Sequence, residues 1–367
     1  MRGTLGAARA RDQPRDGEAR SGYPRRVPTI ALDAMGCDRG PEVTLEGAAA
    51  LSREEGAPEL LLVGDDAVLR PKLAGLEHDP RRLHLVHAPQ VITMEDSPSA
   101  ALAAKPRASV AVAAELVRSG EADALVSAGN TGAVTLACAR AFERLPGVRR
   151  CALGSVYPTE RRRGAKADPF SLILDVGLTL EATADDLVTF ALMGSAYAAR
   201  ISRNPSPRIA LLSNGSEAHK GPPAIVEAHR RLAARDDLDF LGNVEGVDIP
   251  RGTADVVVTG GFLGNVVLKM LEGVAETVTR LGKYAVEEKL RYKAGFALLA
   301  PAMKALRQAT DWEQYGGAPI LGFDHLCIKA HGRSSARAIR NALKVAHKGV
   351  RTELVAGIRE TLERCPP

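Results

Sequence analysis

Short apolar runs alternate along the chain with segments of helical periodicity. Most runs are rich in Val, Ile and Leu and end in a glycine-containing loop, which is followed by apolar residues at helical spacing. The nine runs are Thr29–Leu32, Glu59–Val63, Arg82–Val86, Ala122–Val126, Ser171–Leu174, Arg208–Leu212, Leu238–Leu241, Asp255–Val258 and Leu326–Lys329. Apolar strands that alternate with helices are typical of a parallel, or largely parallel, sheet covered on both faces. The pattern therefore predicts an α/β fold.

Residues 275–315 depart from this alternation. Their sequence predicts two helices with a break near Lys293–Gly295, which would project from the α/β body as a helical hairpin. The apolar run Gly295–Met303 follows the break and would lie at the tip of the hairpin. Two interpretations stay open for it: a membrane contact through Phe296, Leu298 and Leu299, or the core of a dimer.

Length and charge narrow the class of protein. The 367 residues, 45% of them hydrophobic, are enough for one large α/β domain or two lobes. Residues 1–28 contain seven arginines against three acidic residues, whereas the remainder has 42 basic and 41 acidic residues. The body is thus nearly neutral, which argues against nucleic-acid binding. We expect residues 1–28 to be a disordered Arg-rich tail, or a misassigned start, and residues 29–367 to form the functional body.

Other features of the composition indicate the compartment. The sequence shows neither the apolar segment of a signal peptide nor a run of 18 apolar residues, which predicts a cytoplasmic protein that does not span a membrane. Its five cysteines are scattered without the spacing of a metal site. This usage suits a reducing compartment, and we expect no metal.

The loops that follow the apolar runs carry the chemistry. Ser127–Gly132, SAGNTG, precedes a predicted helix, whose first amides lack intrahelical acceptors and favour anions. The loop is expected to bind phosphate through its amides and through the side chains of Ser127, Asn130 and Thr131. Gly129 and Gly132 would let the ligand approach the main chain. The simpler alternative is a turn with a capping residue.

Three further loops add candidate residues. TGGFLGN repeats the strand–loop–helix arrangement and offers Gly261, Gly264 and Asn265. His331 follows the last strand and is a candidate for acid–base or oxyanion chemistry, or for a structural hydrogen bond. Asp33 follows the first strand and would contact a ligand or hold its own loop. Lys220 is a candidate anion contact, with a solvated loop as the alternative.

Taken together, the loops resemble those of the bacterial phosphate acyltransferase family, the PlsX-type acyl-ACP:phosphate acyltransferases. The resemblance runs from about Thr29 to about Ala346 and rests on several ordered segments. These are ALDAMGCDRGP (31–41), VSAGNTGAV (126–134), DVG with FALMGSAY (175–197), ALLSNGSEAHKG (210–221), DVVVTGGFLGNVVLKMLEGV (255–274), YGGAPILG (315–322) and KAHG (329–332).

The resemblance implies a two-lobed α/β/α sandwich similar to the isocitrate dehydrogenase and phosphotransacetylase group. It implies an enzyme that converts acyl-acyl carrier protein (acyl-ACP) and inorganic phosphate into acyl phosphate, at an early step of phospholipid synthesis. It also implies a homodimer without an organic cofactor, peripheral membrane association, and a membrane glycerol-3-phosphate acyltransferase downstream.

For that reaction, phosphate would be held by amides of SAGNTG and GGFLGN. His331, or the side chains of Asn130 and Asn265, would donate to the developing oxyanion. A basic face should meet the acidic carrier protein. One candidate face is Arg333, Arg337, Arg340 and Lys344 at helical spacing, and another consists of Arg149, Arg150 and Arg161–Arg163.

Several positions depart from the family pattern. Cys37 replaces a glycine, Gly260 an aspartate, and Leu178 with Thr179 an Ala-Asn pair, while Ala103 stands where a basic residue is usual. Because most of these changes remove polar groups from the loops, two alternatives stay open. One is a diverged phosphotransacylase that uses acyl-CoA, and the other is a non-catalytic homologue that binds ACP or membranes.

Overall fold

A single mixed sheet organises the chain. The computed structural model describes residues 27–163, 168–287, 289–310 and 316–367. Within them lies an 11-stranded sheet in the order β3-β2-β1-β4-β11-β10-β5-β6-β9-β7-β8. The strands are β1 Thr29–Asp33, β2 Glu59–Gly64, β3 Leu83–His87, β4 Ala124–Ser127, β5 Ala152–Arg163, β6 Asp168–Leu174, β7 Arg208–Leu212, β8 Asp239–Val244, β9 Val256–Val258, β10 Ala318–Leu321 and β11 Leu326–Lys329.

The sheet falls into two lobes. β3, β2, β1, β4 and β11 pair in parallel in the first lobe, and β6, β9, β7 and β8 do so in the second. β10 and β5 connect the lobes through antiparallel pairs, β11–β10, β10–β5 and β5–β6. The prediction of a largely parallel sheet is confirmed, and all nine predicted runs are strands. β5 and β10 were not expected.

Helices cover both faces of the sheet. β1 and β4 of the first lobe are buried along their whole length, and their successive side chains enter opposite cores. One core packs against α3 Pro98–Ala104, α4 Ser109–Arg118, α5 Thr131–Ala141, α8 Asp248–Arg251 and the start of α9 Gly261–Glu287. The other packs against α1 Pro41–Ser52, α2 Asp66–Ala74, α6 Ala184–Tyr197, α7 Pro223–Ala233, α11 Ala336–Arg351 and α12 Leu354–Arg364. The result is the predicted two-lobed α/β/α sandwich.

α9 continues beyond the body and pairs with α10, Leu290–Thr310. Residues 273–285 of α9 and 291–301 of α10 are exposed, so the pair projects as the sequence predicts. The break, however, lies between Glu287 and Leu290, and the prediction of a break at Lys293–Gly295 was wrong. A glycine within α10 remains helical because its amide and carbonyl still form the i→i−4 hydrogen bonds of the helix. The run Gly295–Met303 therefore belongs to α10 and not to the tip.

Two predictions lie partly outside the described residues. Residues 1–26 of the predicted Arg-rich tail and residues 311–315 of the predicted hairpin lie outside the described residues. Within the described part, no helix combines the length and hydropathy needed to cross a bilayer.

Candidate functional site

The start of α5 is an open helix terminus at the carboxyl edge of the first lobe. Asn130 is the N-cap, and its Oδ1 accepts a hydrogen bond from the Ala133 amide at 3.2 Å. The hydrogen bonds of the described residues leave the Thr131 and Gly132 amides without an intramolecular acceptor. These two donors and the positive end of an 11-residue helix favour an anion.

The side chain of Asn130 is occupied by this loop. Its Nδ2 donates to the carbonyls of Met94 and Asp96 at 3.2 and 3.3 Å, which ties the segment before α3 to the start of α5. Pro98 packs on Gly132, where an added Cβ would lie 2.7 Å from the proline Cγ. The expected role of Asn130 as an oxyanion donor would require these bonds to break. The geometry instead gives the residue a capping and bridging role.

Behind this terminus, Ser127 links a buried carboxylate to the loop. Its hydroxyl donates to Asp33 Oδ2 at 2.6 Å and accepts from the Gly129 amide at 3.0 Å. Asp33 Oδ1 also accepts from the Met35 amide at 3.3 Å. Gly36 lies so close to Gly129 that an added Cβ would lie 2.7 Å from the Gly129 Cα. Asp33 therefore holds its own loop and the SAGNTG loop together.

A lysine that the sequence did not single out lies beside this network. Lys329 ends β11, is 7% exposed and pairs in register with Ser127 of β4, which in turn pairs with Asp33 of β1. Its Nζ donates to the Ala330 carbonyl. Burial lowers the pKa of Lys329 to about 8, against the opposing effect of acidic neighbours such as Asp33 and Asp38.

His331 follows two residues later and faces α9. Its Nε2 lies 3.5 Å from Lys269 Nζ, and its Nδ1 accepts from the Arg333 amide at 3.2 Å. Partial burial, and then the charge of Lys269, holds the pKa of His331 below its ordinary value. Lys269 Nζ also donates to Glu272 Oε2 at 2.8 Å, so a carboxylate, an ammonium and the imidazole lie together at this point.

The second lobe contains a related network around Asp175. This buried carboxylate accepts hydrogen bonds from the amides of residues 153, 177, 178 and 179 and from the Thr179 hydroxyl. Thr179 Oγ1 also accepts from the Gly261 amide at 3.0 Å. An added Cβ on Gly264 would lie 1.9 Å from the Asp175 carbonyl oxygen. The glycines of GGFLGN therefore permit close packing of α9 against the Asp175 loop.

The predicted phosphate residues fall into two groups. Ser127, Gly129, Asn130, Thr131 and Gly132 are together, whereas Gly261, Gly264 and Asn265 lie around the Asp175 loop. α9 reaches His331 through Lys269, eight positions or about 12 Å along the helix from Gly261. Lys220 packs on Gly215 of its own loop after β7. Among the described contacts, none joins the second group to the SAGNTG loop.

Comparison with known proteins identifies the family of the chain. The family model "Fatty acid synthesis protein" matches residues 28–356. A phosphate acyltransferase of Myxococcus xanthus (strain DK1622) is 43% identical over 331 residues, which cover 89% of this chain and 92% of that relative. A phosphate acyltransferase of Moorella thermoacetica is 41% identical over 329 residues, covering 90% and 94%. The chain belongs to this phosphate acyltransferase family.

Solved structures with a similar fold are more distant from this family member. A phosphotransacetylase from Streptococcus pyogenes superposes with a TM-score of 0.59 at 18% identity, covering 89% of this chain and 94% of that one. A branched-chain phosphotransacylase from Enterococcus faecalis V583 gives a TM-score of 0.55 at 16% identity, covering 88% and 99%. These similarities confirm the expected fold group.

The structure accommodates the departures from the phosphate acyltransferase pattern. The Cys37 thiol points to the Gly332 carbonyl, 3.1 Å away, and links two loops without entering the SAGNTG loop. A Cβ on Gly260 would lie 3.6 Å from Ala182 Cβ, which is an ordinary van der Waals contact. The space around Gly260 would therefore admit the aspartate that is usual in the family. Thr179 supplies the hydroxyl of the Asp175 network.

The basic residues proposed to meet a carrier protein differ in their surroundings. Arg340 and Lys344 both pair with Glu54, whereas Arg333 and Arg337 are exposed at the start of α11. Arg149 and Arg150 pair with the buried carboxylate of Asp186. The side chains of Arg162 and Arg163 lie outside the described residues. In the part of the chain that is described, no cluster of three or more His, Cys, Asp or Glu residues could hold a metal.

Proposed function

We propose that this protein transfers an acyl group from the thioester of acyl carrier protein to inorganic phosphate, which gives acyl phosphate for phospholipid synthesis. Residues 29–367 form the catalytic body. The observation that carries the proposal is the start of α5, where two amides remain available to an anion in a chain of the phosphate acyltransferase family.

Phosphate is placed at Thr131 and Gly132, with Ser127, Gly129 and Asn130 fixing the shape of the loop. A phosphate oxygen attacks the thioester carbonyl, and negative charge develops on the carbonyl oxygen. His331 and Lys269, whose Nε2 and Nζ are 3.5 Å apart, would stabilise that oxygen. The preorganised start of α5 lowers the entropic cost of bringing the two substrates together.

The proposal also includes a surface for the carrier protein, a contact with the membrane and an interface for a homodimer. Arg333 and Arg337 are the exposed cations for the acidic carrier, and Arg340 with Lys344 extends the same helix face. Leu298 and Leu299, which are 85% and 59% exposed on α10, would contact the membrane at the periphery. There the product reaches a membrane glycerol-3-phosphate acyltransferase. The exposed apolar face of α9, including Val274 and Val278, would pair with a second copy in a homodimer.

The decisive experiment incubates the full chain with palmitoyl-ACP and labelled phosphate and traps acyl phosphate with hydroxylamine. Product formation supports the proposal, and its absence at high enzyme concentration refutes it. A parallel arm with palmitoyl-CoA decides between the two donors. Binding of ACP or liposomes without turnover in either arm would identify a non-catalytic homologue. Replacing Arg337 by Glu should raise the KM for acyl-ACP and leave the KM for phosphate unchanged.

A further inference from the structure

A buried lysine lies at the proposed phosphate site. Lys329, Ser127 and Asp33 lie in register on three adjacent strands, each about 4.8 Å from the next. Residues two positions earlier on these strands enter the core that packs against α5. The three side chains therefore point to the face of the sheet covered by α5, at the edge where that helix begins.

The hydrogen bonding of Lys329 is incomplete. An ammonium has three donors, and among the described residues the Ala330 carbonyl is its acceptor, with no carboxylate within 4 Å. A cation that is 93% buried is costly unless it is paired and hydrogen-bonded. A site with spare donors beside an open helix terminus is suited to an incoming anion.

We propose that Lys329 is a catalytic residue of the acyl transfer, which takes the proton of the bound phosphate and returns it to the leaving sulfur. The inference rests on the proposed function and assigns it a general base.

The proton and the electrons balance through one cycle. As an oxygen of HPO₄²⁻ forms a bond to the thioester carbonyl carbon, the π electron pair of the carbonyl moves to its oxygen and the Lys329 amine accepts the phosphate proton. The pair on that oxygen then re-forms the carbonyl and expels the sulfur, so that the carbon–sulfur bond breaks and its electron pair goes to sulfur. The Lys329 ammonium gives the proton to the thiolate, which leaves acyl phosphate, a free thiol and the amine ready for another cycle.

The surroundings of Lys329 tune it for this task. Burial lowers its pKa to about 8, so the amine form is present in the pH range where a general base must work. The groups that face it come from its own strand and from the neighbouring loops. They are Cys327, Asp33, Asp38, Cys37 and His331. Since the amine form grows as the pH rises through about 8, kcat/KM for phosphate should rise over the same range.

Two substitutions separate proton transfer from charge. Lys329→Met removes the amine while retaining the length of the side chain, and Lys329→Arg keeps a positive charge that cannot be given up near neutral pH. We expect kcat to fall at least about a hundredfold in both. The KM for phosphate should rise in Lys329→Met and change little in Lys329→Arg. Lys72→Met, a partly exposed lysine on α2, which packs on the face of the sheet opposite to α5, is the matched control and should leave both constants unchanged.

The pH profile and chemical rescue complete the test. The rise in kcat/KM near pH 8 should be absent from Lys329→Met. The change in kcat/KM that comes from the ionisation of phosphate itself should be the same in all variants. Methylamine should restore part of the activity of Lys329→Ala, which a purely structural role would not allow. If the variants do not fold, the wild-type protein alone decides: a kcat/KM for phosphate that does not rise near pH 8 overturns the proposal. A wild type without turnover overturns both the function and this role, whereas an active wild type with an unaffected Lys329→Met overturns this role alone.

Discussion

Ser127 and Thr179 perform the same local task in the two lobes, which allows the phosphate site to be located by comparison. Each hydroxyl donates to a buried aspartate and accepts a glycine amide, from Gly129 in the first lobe and from Gly261 in the second. If phosphate binds at the start of α5, Ser127→Ala should weaken phosphate binding and Thr179→Val should not.

The effect on stability follows from the donors that remain. Among the hydrogen bonds of the described residues, Asp33 keeps the Met35 amide at 3.3 Å after Ser127→Ala, whereas Asp175 keeps four amide donors after Thr179→Val. A hydrogen bond to a charged group contributes about 1.5–3 kcal/mol, and a buried orphan amide costs about 1–3 kcal/mol. One hydroxyl makes both the bond to the carboxylate and the bond from the amide, so the two energies do not simply add. We expect Ser127→Ala to lower the free energy of unfolding by about 3 kcal/mol and Thr179→Val to lower it by about 2 kcal/mol. These values lower Tm by at most about 6 °C and about 4 °C.

The assay measures Tm by calorimetry and the KM for phosphate with labelled phosphate and hydroxylamine trapping. We expect the KM for phosphate to rise about tenfold in Ser127→Ala, equivalent to about 1.4 kcal/mol, and to stay within twofold in Thr179→Val. An equal rise in both variants would refute the assignment to α5. So would a destabilised Ser127→Ala with an unchanged KM, because the SAGNTG loop would then be structural only.

Three further predictions test the helix starts and the hairpin. Gly264→Ala places a Cβ 1.9 Å from the Asp175 carbonyl and should cost at least about 3 kcal/mol in thermal melts, whereas Gly273→Ala, in open space, should be neutral or stabilising. Gly260→Asp restores the family carboxylate at an N-cap and should change stability by less than about 0.5 kcal/mol, so a loss above about 1 kcal/mol contradicts the packing described. Leu298→Glu should abolish flotation with anionic vesicles, whereas Leu180→Glu, 83% exposed on the body, should not; equal flotation of both variants would exclude Leu298 as a contact.

The sequence predicts most of the sheet because nine of its strands are apolar runs that end in marked loops. β5 was missed because Ala152–Arg163 mixes apolar residues with a Thr-Glu-Arg-Arg-Arg end, which lacks the continuous apolar pattern of a buried strand. β10 was missed because it has only four residues after two glycines with positive φ. Both strands pair antiparallel, and local patterning does not show which neighbour a short strand will take.

The candidate site shows the same division between local and nonlocal information. The SAGNTG loop is recognisable because its signals, small residues and a following helix, are adjacent in the sequence. Lys329 ends an apolar run, where it resembles an ordinary strand-end lysine. Its importance depends on pairing with Ser127, about 200 residues earlier in the sequence, and on burial that only the assembled sheet provides. A lysine directly after three apolar strand residues was the signal available in the sequence.

The network around Asp33 and the network around Asp175 differ more in their charge than in their hydrogen-bond geometry. Around Asp175 the negative charge is dispersed over four amides and one hydroxyl, so the carboxylate is satisfied without a cation. Asp33 has fewer donors, and the buried Lys329 lies two strands away on the same face. At the first network an arriving phosphate therefore meets open amides and the Lys329 amino group, which is a cation below about pH 8 and an amine above it. At the second it meets an anion whose surrounding amides are already committed. The family departures at Leu178, Thr179 and Gly260 fall at the second network, where they leave the electrostatics of the proposed phosphate site intact.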